Sequence, residues 1–161
     1  MRSSAVTFAG VVVIGPAIFG IAPSAASPEY DALAIQQQQQ LAVVKDFATA
    51  VVCDDPIGIA QNAAPGIVWT IPGASAIAGQ VTGIDDVIRL ADTFSQYDLH
   101  ISPQGFLFGI NTIAVKLHDT GERNGKRLDQ DVVNILTVRD GKVATVTATL
   151  TDVSAFDAYF S

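Results

Sequence analysis

The sequence is poor in the residues that build metal centres and covalent cross-links. It holds one cysteine, Cys53, so it can form neither an intramolecular disulfide nor a cysteine-based metal site. Its two histidines, His100 and His118, are too few for a histidine-rich metal site, and no HxH or HExxH spacing accompanies them. Basic residues are scarce too. Nine Lys and Arg stand against 16 Asp and Glu, for a net charge of −7, with no basic cluster larger than Arg123 to Arg127. Phosphate neutralisation needs a basic face, so this balance argues against a nucleic-acid partner. Charged residues make up only 16% against 49% hydrophobic, which excludes a disordered chain. The 161 residues are enough for one domain with a sizeable core.

The amino terminus has its own pattern. Arg2 precedes an apolar run from Ala5 to Ala22, followed by Pro23-Ser24-Ala25-Ala26-Ser27-Pro28. A charged start, an apolar middle and a small-residue end predict a signal peptide over 1–26, cleaved after Ala26, and a secreted protein. Gly10, Gly15, Pro16 and Gly20 suit a signal peptide better than a stable membrane helix. The run is still long enough to span, so an uncleaved anchor is the alternative; after cleavage no membrane partner is expected. Cys53 follows Val51-Val52 near a helix end and is expected to be a buried structural thiol.

Residues 27–40 read as a polar lead-in containing Gln36 to Gln40, which can also form the first turns of a helix. The domain is expected over 41–161. Leu41, Val44, Phe47, Ala48 and Val51 predict a helix to Val52. Asp54-Asp55-Pro56 ends it and starts a short helix to Asn62, with either aspartate able to cap it. Pro65-Gly66 leads into a strand from Ile67 to Ile71. A loop punctuated by Pro72, Gly73, Gly79 and Gly83 follows, then a helix from Ile84 to Tyr97 with Asp85 and Asp86 in its first turn. The periodicity then changes to two. It predicts four antiparallel strands, over 98–108, 111–118, 127–139 and 142–151, with turns at Gly109, Asp119-Thr120-Gly121, Asn124-Gly125 and Asp140-Gly141. A short helix capped by Asp152 closes the chain. Helices followed by a strand meander argue for an α+β fold, with helices packed on one face of a curved sheet.

Alternation assigns the faces. In the last strand Ala144, Val146, Ala148 and Leu150 share the inner row, and Thr145, Thr147, Thr149 and Thr151 the outer. Asn134 shares an inward row with Val132, Leu136 and Val138, and Asn111 with Ile113, Val115 and Leu117. A buried amide needs hydrogen bonds, so each is either a structural amide satisfied by backbone or a group that orients a ligand. Trp69, the only tryptophan, shares a face with Ile67 and Ile71 and reads as core packing or as a cavity wall. His118, Asp129 and Asp131 fall on the outward parity.

The run from Val68 to Val87 (VWTIPGASAIAGQVTGIDDV) and the closing NILTVRDGKVATVTATLTDVSAF together resemble the SnoaL-like domain of the nuclear-transport-factor-2-like superfamily, across roughly Leu41 to Phe160. That superfamily includes ketosteroid isomerases, limonene-epoxide-hydrolase-like enzymes and polyketide cyclases. The resemblance implies a cone-shaped roll, in which a strongly bent antiparallel sheet wraps the N-terminal helices around an internal apolar cavity. It implies a small hydrophobic molecule as partner and a homodimer through the outer sheet face, which would suit the threonine row. The chemistry implied is acid–base, usually without metal or cofactor.

The familiar catalytic acids do not carry over. Isomerases and hydrolases place a polar group two residues after the aromatic that matches Trp69, and here that residue is Ile71. The hydrolase Arg and Asp fall on Asn111 and Ile113, and the acid of the final strand on Ala148 or Thr149. The resemblance therefore points to an exported domain that binds a hydrophobic ligand through Trp69, Ile71, Asn111, Asn134 and Ala148. The alternative is a cofactor-free isomerase, cyclase or hydrolase with a relocated acid such as His100 or Asp152, although Asp152 also suits a helix cap and His100 a rim. A third reading is an assembly role through the threonine face.

Overall fold

A computed structural model describes residues 28–161, and the expected signal segment lies outside these described residues. Helix α1 (Pro28–Val52) is one continuous helix, so the polar lead-in forms its first half rather than a linker. Glutamine propagates a helix well and offers nothing to pack, and the burial begins after it. Val44, Phe47, Ala50 and Val51 are buried, and Leu41 and Val43 pack beside them. The helix ends where Asp54 turns left-handed, at φ 51°. There the Asp54 amide donates to the Val51 carbonyl and the Asp55 amide to that of Ala50, which satisfies the last carbonyls. Asp55 then caps helix α2 (Pro56–Asn62), its carboxylate accepting from the Ile57 amide at 3.0 Å. Cys53, in this junction, is exposed rather than buried, because the stripe that α1 turns inward ends at Val51.

Strand β1 (Ala63–Ile71) is followed by a short β2 (Gly79–Thr82), which pairs antiparallel with it inside what the sequence reads as loop. Helix α3 (Ile84–Gln96) buries Val87, Leu90, Ala91 and Phe94 on one side. Then come β3 (His100–Phe108), β4 (Thr112–Arg123), β5 (Lys126–Arg139), β6 (Lys142–Leu150) and helix α4 (Val153–Tyr159). The six strands form one sheet in the order β2-β1-β6-β5-β4-β3. Neighbours are antiparallel except β1 and β6, which run parallel and join the first and last strands of the domain. The helices close one face of this sheet, and a single core fills the space between. The architecture is α+β.

Two local features differ from the alternation read in the sequence. Strand β4 does not turn at Asp119-Thr120-Gly121 but runs on to Arg123. The turn is Asn124-Gly125, with φ of 51° and 75°, the left-handed pair that matches the twist of a hairpin. Gly121 is part of the strand and lies directly under the Tyr159 hydroxyl, where a Cβ would collide. In β6 the pairing shifts between Thr137↔Thr145 and Val138↔Val143. This bulge turns Val143 inward, fully buried, in place of Ala144. From Val146 onward the expected inner row resumes.

The carboxyl-terminal helix is tied to the loop after β1. The Asp157 carboxylate accepts from the Ala74 amide at 2.9 and 2.8 Å and from the Ser75 amide at 2.8 Å. Gly73, at φ 120°, lets the chain pass against that carboxylate, and a Cβ there would strike it. The backbone bonds, that of Ala74 foremost, hold the Asp157 carboxyl below the ordinary carboxylate range. Its contribution to stability is therefore present above the unfolded-state value and lost as the pH falls through the folded one. Asp157→Ala is expected to lower the thermal midpoint at pH 7, with the gap from wild type narrowing at pH 3. Thermal melts followed by circular dichroism at the two pH values check this, and an unchanged gap would show that the carboxylate charge is irrelevant to the latch.

Candidate functional site

Between the helices and the sheet lies a cavity of about 680 Å³, counted out to its open mouth. Helix α1 contributes Phe47, Ala48, Val51 and Val52, and α3 contributes Phe94. Phe156 of α4 and Ile101 and Pro103 of β3 complete the sides. Exposed Val52 and Pro103 belong to the rim. The floor is the inner face of β1, β6, β5 and β4, and strand registration orders it in rows. Trp69 lies beside Val146, which faces Leu136. Ala148 faces Asn134, which faces Val115. Leu150 faces Val132, which faces Leu117. One row further, Asp119 faces Gln130.

Of the residues singled out from the sequence, Trp69, Ile71, Asn134 and Ala148 all line this cavity. Trp69 packs between Phe47 and Phe94, with ring centroids at 6.1 Å on both sides, and its Nε1 is buried without a hydrogen-bond partner. The Oδ1 of Asn134 is likewise buried and unpartnered. Asn111 is not there. It sits exposed in the turn between β3 and β4, because β4 begins only at Thr112. His100 is exposed at the start of β3, with Asp98 3.7 Å away. Asp152 caps α4, accepting from the Ala155 amide at 2.8 Å, and lies outside the cavity.

The cavity does contain a carboxyl group, on Asp119. It continues the inward row of Ile113, Val115 and Leu117 and is only 4% exposed. Its Oδ1 is buried and has no hydrogen-bond partner, and among the described residues no ion pair reaches it. Burial without compensation penalises the ionised form and pushes the carboxyl from 3.8 up to about 7, against a smaller opposing pull from His118. Gln130, directly opposite, accepts from the Asp152 amide at 3.1 Å but leaves its own Nε2 buried and unpaired. His118 points to the outer face. Its Nδ1 lies 3.0 Å from Asp131 and its Nε2 3.4 Å from Asp129. The hydrogen bonds from His118 and then Lys116 hold Asp131 below the ordinary carboxylate range. Among the described residues no group of three or more His, Cys, Asp or Glu is placed to hold a metal ion.

The signal for Asp119 was present in the sequence. Extending the alternation from Leu117 by one step lands on it. Reading Asp119-Thr120-Gly121 as a turn hid it, although Asn124-Gly125 is the stronger hairpin pair.

A family model described as the SnoaL-like domain matches residues 44–146. No curated protein matches the chain. Several solved structures are similar in fold. A nuclear-transport-factor-2-like protein from Burkholderia xenovorans LB400 is 24% identical, with a TM-score of 0.66 over 77% of this chain and 97% of its own. TerC, co-crystallised with polyporic acid, is 17% identical, with a TM-score of 0.66 over 76% and 98%. A protein from Jannaschia sp. CCS1 described as a SnoaL-like polyketide cyclase is 16% identical, with a TM-score of 0.60 over 71% and 86%. These likenesses share the cone fold; identities this low carry the fold alone.

The raised Asp119 value fixes a sign for stability. Between 3.8 and about 7 the folded state holds a proton that the unfolded state has released. Stability is therefore greatest below that window and falls as the pH rises through it. Urea melts at pH 4.5 and pH 8 are expected to show wild type losing about 2–4 kcal/mol more than Asp119→Asn over the same interval. Equal losses in the two proteins would place the Asp119 carboxyl in a solvated setting.

Proposed function

Because the chain belongs to the family of SnoaL-like domains, we propose that it binds a small hydrophobic molecule in the cavity and acts on it by acid–base chemistry through Asp119. The carrying observation is one carboxyl group buried in an apolar cavity, with its proton affinity brought near neutrality. A general acid–base group works best when its pKa lies close to the working pH. The ionised carboxylate accepts a proton from a bound molecule and, as the carboxylic acid, returns it to another atom. No redox step is involved. Trp69 Nε1 supplies a fixed donor and Asn134 an amide, both on the cavity floor, to orient the molecule. The polyporic acid complex, and the protein described as a polyketide cyclase, among its fold relatives are in keeping with a hydrophobic, oxygen-bearing ligand.

The acid therefore differs in place from the family positions that fall here on Ile71, Ile113 and Ala148 or Thr149, none of which carries a carboxyl group. It lies further along β4, one inward step past Leu117. Ketones, epoxides and polyketide-like esters form the panel on which to test turnover. Asp119→Asn is expected to lower kcat/KM by about 100-fold or more, and wild type to show a pH–rate break near 7. Binding of apolar probes without turnover on any of the panel would leave a binding protein and sink the catalytic reading.

We also propose that the outer sheet face pairs with a second copy of the chain. Leu107, Ala114, Ile135 and Thr147 form one outward row across β3 to β6, with Leu107 60% and Ile135 41% exposed. The threonines of β6 lie in and beside it, and Thr145 bonds Thr137 at 2.9 Å. A face of apolar and hydroxyl groups suits a self-complementary contact. Ile135→Glu is expected to convert a dimer to a monomer in analytical ultracentrifugation. A wild-type protein that sediments as a monomer at micromolar concentration would end this idea.

A further inference from the structure

The polar atoms of the cavity are not scattered. They occur at two places along the floor, with an apolar row between them. At one place is the carboxyl of Asp119. At the other are the Asn134 amide and, in the next row, the indole N–H of Trp69. Gln130, the register partner of Asp119, precedes Asn134 by four residues on β5, a separation of about 13 Å along a strand. The intervening row is Leu150, Val132 and Leu117, all apolar and all lining the cavity.

From this spacing we propose that the cavity takes an elongated, uncharged apolar molecule with a hydrogen-bonding oxygen at each end. One oxygen meets Asp119 and the other meets Asn134 and Trp69. The proposal rests on the cavity reading above and adds the ligand's shape and polarity. The chemistry at each end follows from the donor and acceptor inventory. Trp69 Nε1 only donates, so the group there must accept. Asn134 offers both a donor and an acceptor, so a hydroxyl or a carbonyl satisfies that end. At the other end Asp119 donates when protonated and accepts when ionised, so a hydroxyl again serves in either state. A permanent negative charge at either end, or a positive one at the Asn134 end, is disfavoured. No counter-charge lines the cavity besides Asp119 itself, and an unpaired ion is costly to desolvate. The class is thus a diol, diphenol or hydroxy-ketone with a stiff hydrocarbon body. A ligand polar at one end only leaves a buried polar group at the other end without a partner.

Four biphenyl probes separate the possibilities, read out by the fluorescence of Trp69, the only tryptophan and part of the cavity floor. They are biphenyl, para-hydroxybiphenyl, para,para′-dihydroxybiphenyl and ortho,ortho′-dihydroxybiphenyl. The para,para′ diphenol is expected to bind about tenfold more tightly than the monophenol. The ortho,ortho′ isomer has the same polarity with its oxygens side by side, and is expected to gain nothing over the monophenol. Asn134→Leu is expected to bring the para,para′ diphenol down to monophenol affinity. If the two diphenols bind alike, or neither exceeds the monophenol, the two-ended site is overturned while the apolar cavity stands. If none of the four probes binds, the cavity reading falls together with it. The probe comparison needs only the wild-type chain, so it stands even where a variant fails to fold.

Discussion

The register of the β4–β5 hairpin is the constraint on which the cavity depends. Twelve residue pairs, from Thr112↔Thr137 to Arg123↔Lys126, follow from one two-residue turn at Asn124-Gly125. Strand side chains alternate, so a slip of one residue would exchange the faces of β4. Asp119 would then face solvent, and His118 would be driven into the apolar cavity. Both faces oppose the slip. Inside, Ile113, Val115 and Leu117 would lose their burial. Outside, His118 would leave Asp131 and Asp129, and Lys116 would leave Asp131. Exposed ion pairs of this kind contribute little each, so the apolar row decides the register and the outer charges agree with it.

The same chemical group shows what that placement does. Asp119 and Asp157 are both aspartates, and their surroundings move them in opposite directions. Asp157 accepts backbone bonds from Ala74 and Ser75 at the edge of the fold, which favours the ionised form. Asp119 is buried with an unbonded oxygen, which favours the neutral form. A carboxyl raised to about 7 opposes folding at neutral pH relative to a group of ordinary affinity. A leucine at this position would remove that penalty. Retaining the acid therefore has a thermodynamic cost, as acids used for proton transfer usually do.

Much of this was legible in the sequence, and the rest was hidden for physical reasons. The amphipathic stripes of α1 and α3, the Asp54-Asp55 pair, the Asp152 cap and the Asp140-Gly141 hairpin are local signals with strong periods or strong turn chemistry, and they identified their elements. The cavity floor at Trp69, Ile71, Asn134 and Ala148 followed from strand parity and resemblance. Strand parity fails where a bulge shifts it, and so Val143 took the inward place assigned to Ala144. It also fails where a strand end is misjudged. Asn111 lies one residue before β4 begins, and the turn expected at Asp119 lies further on, at Asn124-Gly125. The β1–β6 pairing, which brings Trp69 beside Val146, joins residues too distant in the chain for any local pattern to report.

The two halves of the site thus have different origins. Trp69 reaches the floor through a long-range parallel pairing, and its ring is fixed by Phe47 and Phe94 from two helices. Asp119 reaches it through one local hairpin. Its end of β4 is closed by the carboxyl-terminal residues. Tyr159 packs over Gly121 and donates its hydroxyl hydrogen to the Tyr97 carbonyl, and Phe160 stacks against Tyr97, Phe156 and Tyr159. Helix α4 therefore acts on both halves. Phe156 lines the cavity, Tyr159 covers the Asp119 end, and Asp157 holds the loop that follows the Trp69 strand. A seven-residue helix would not persist alone; it is held by the core it closes.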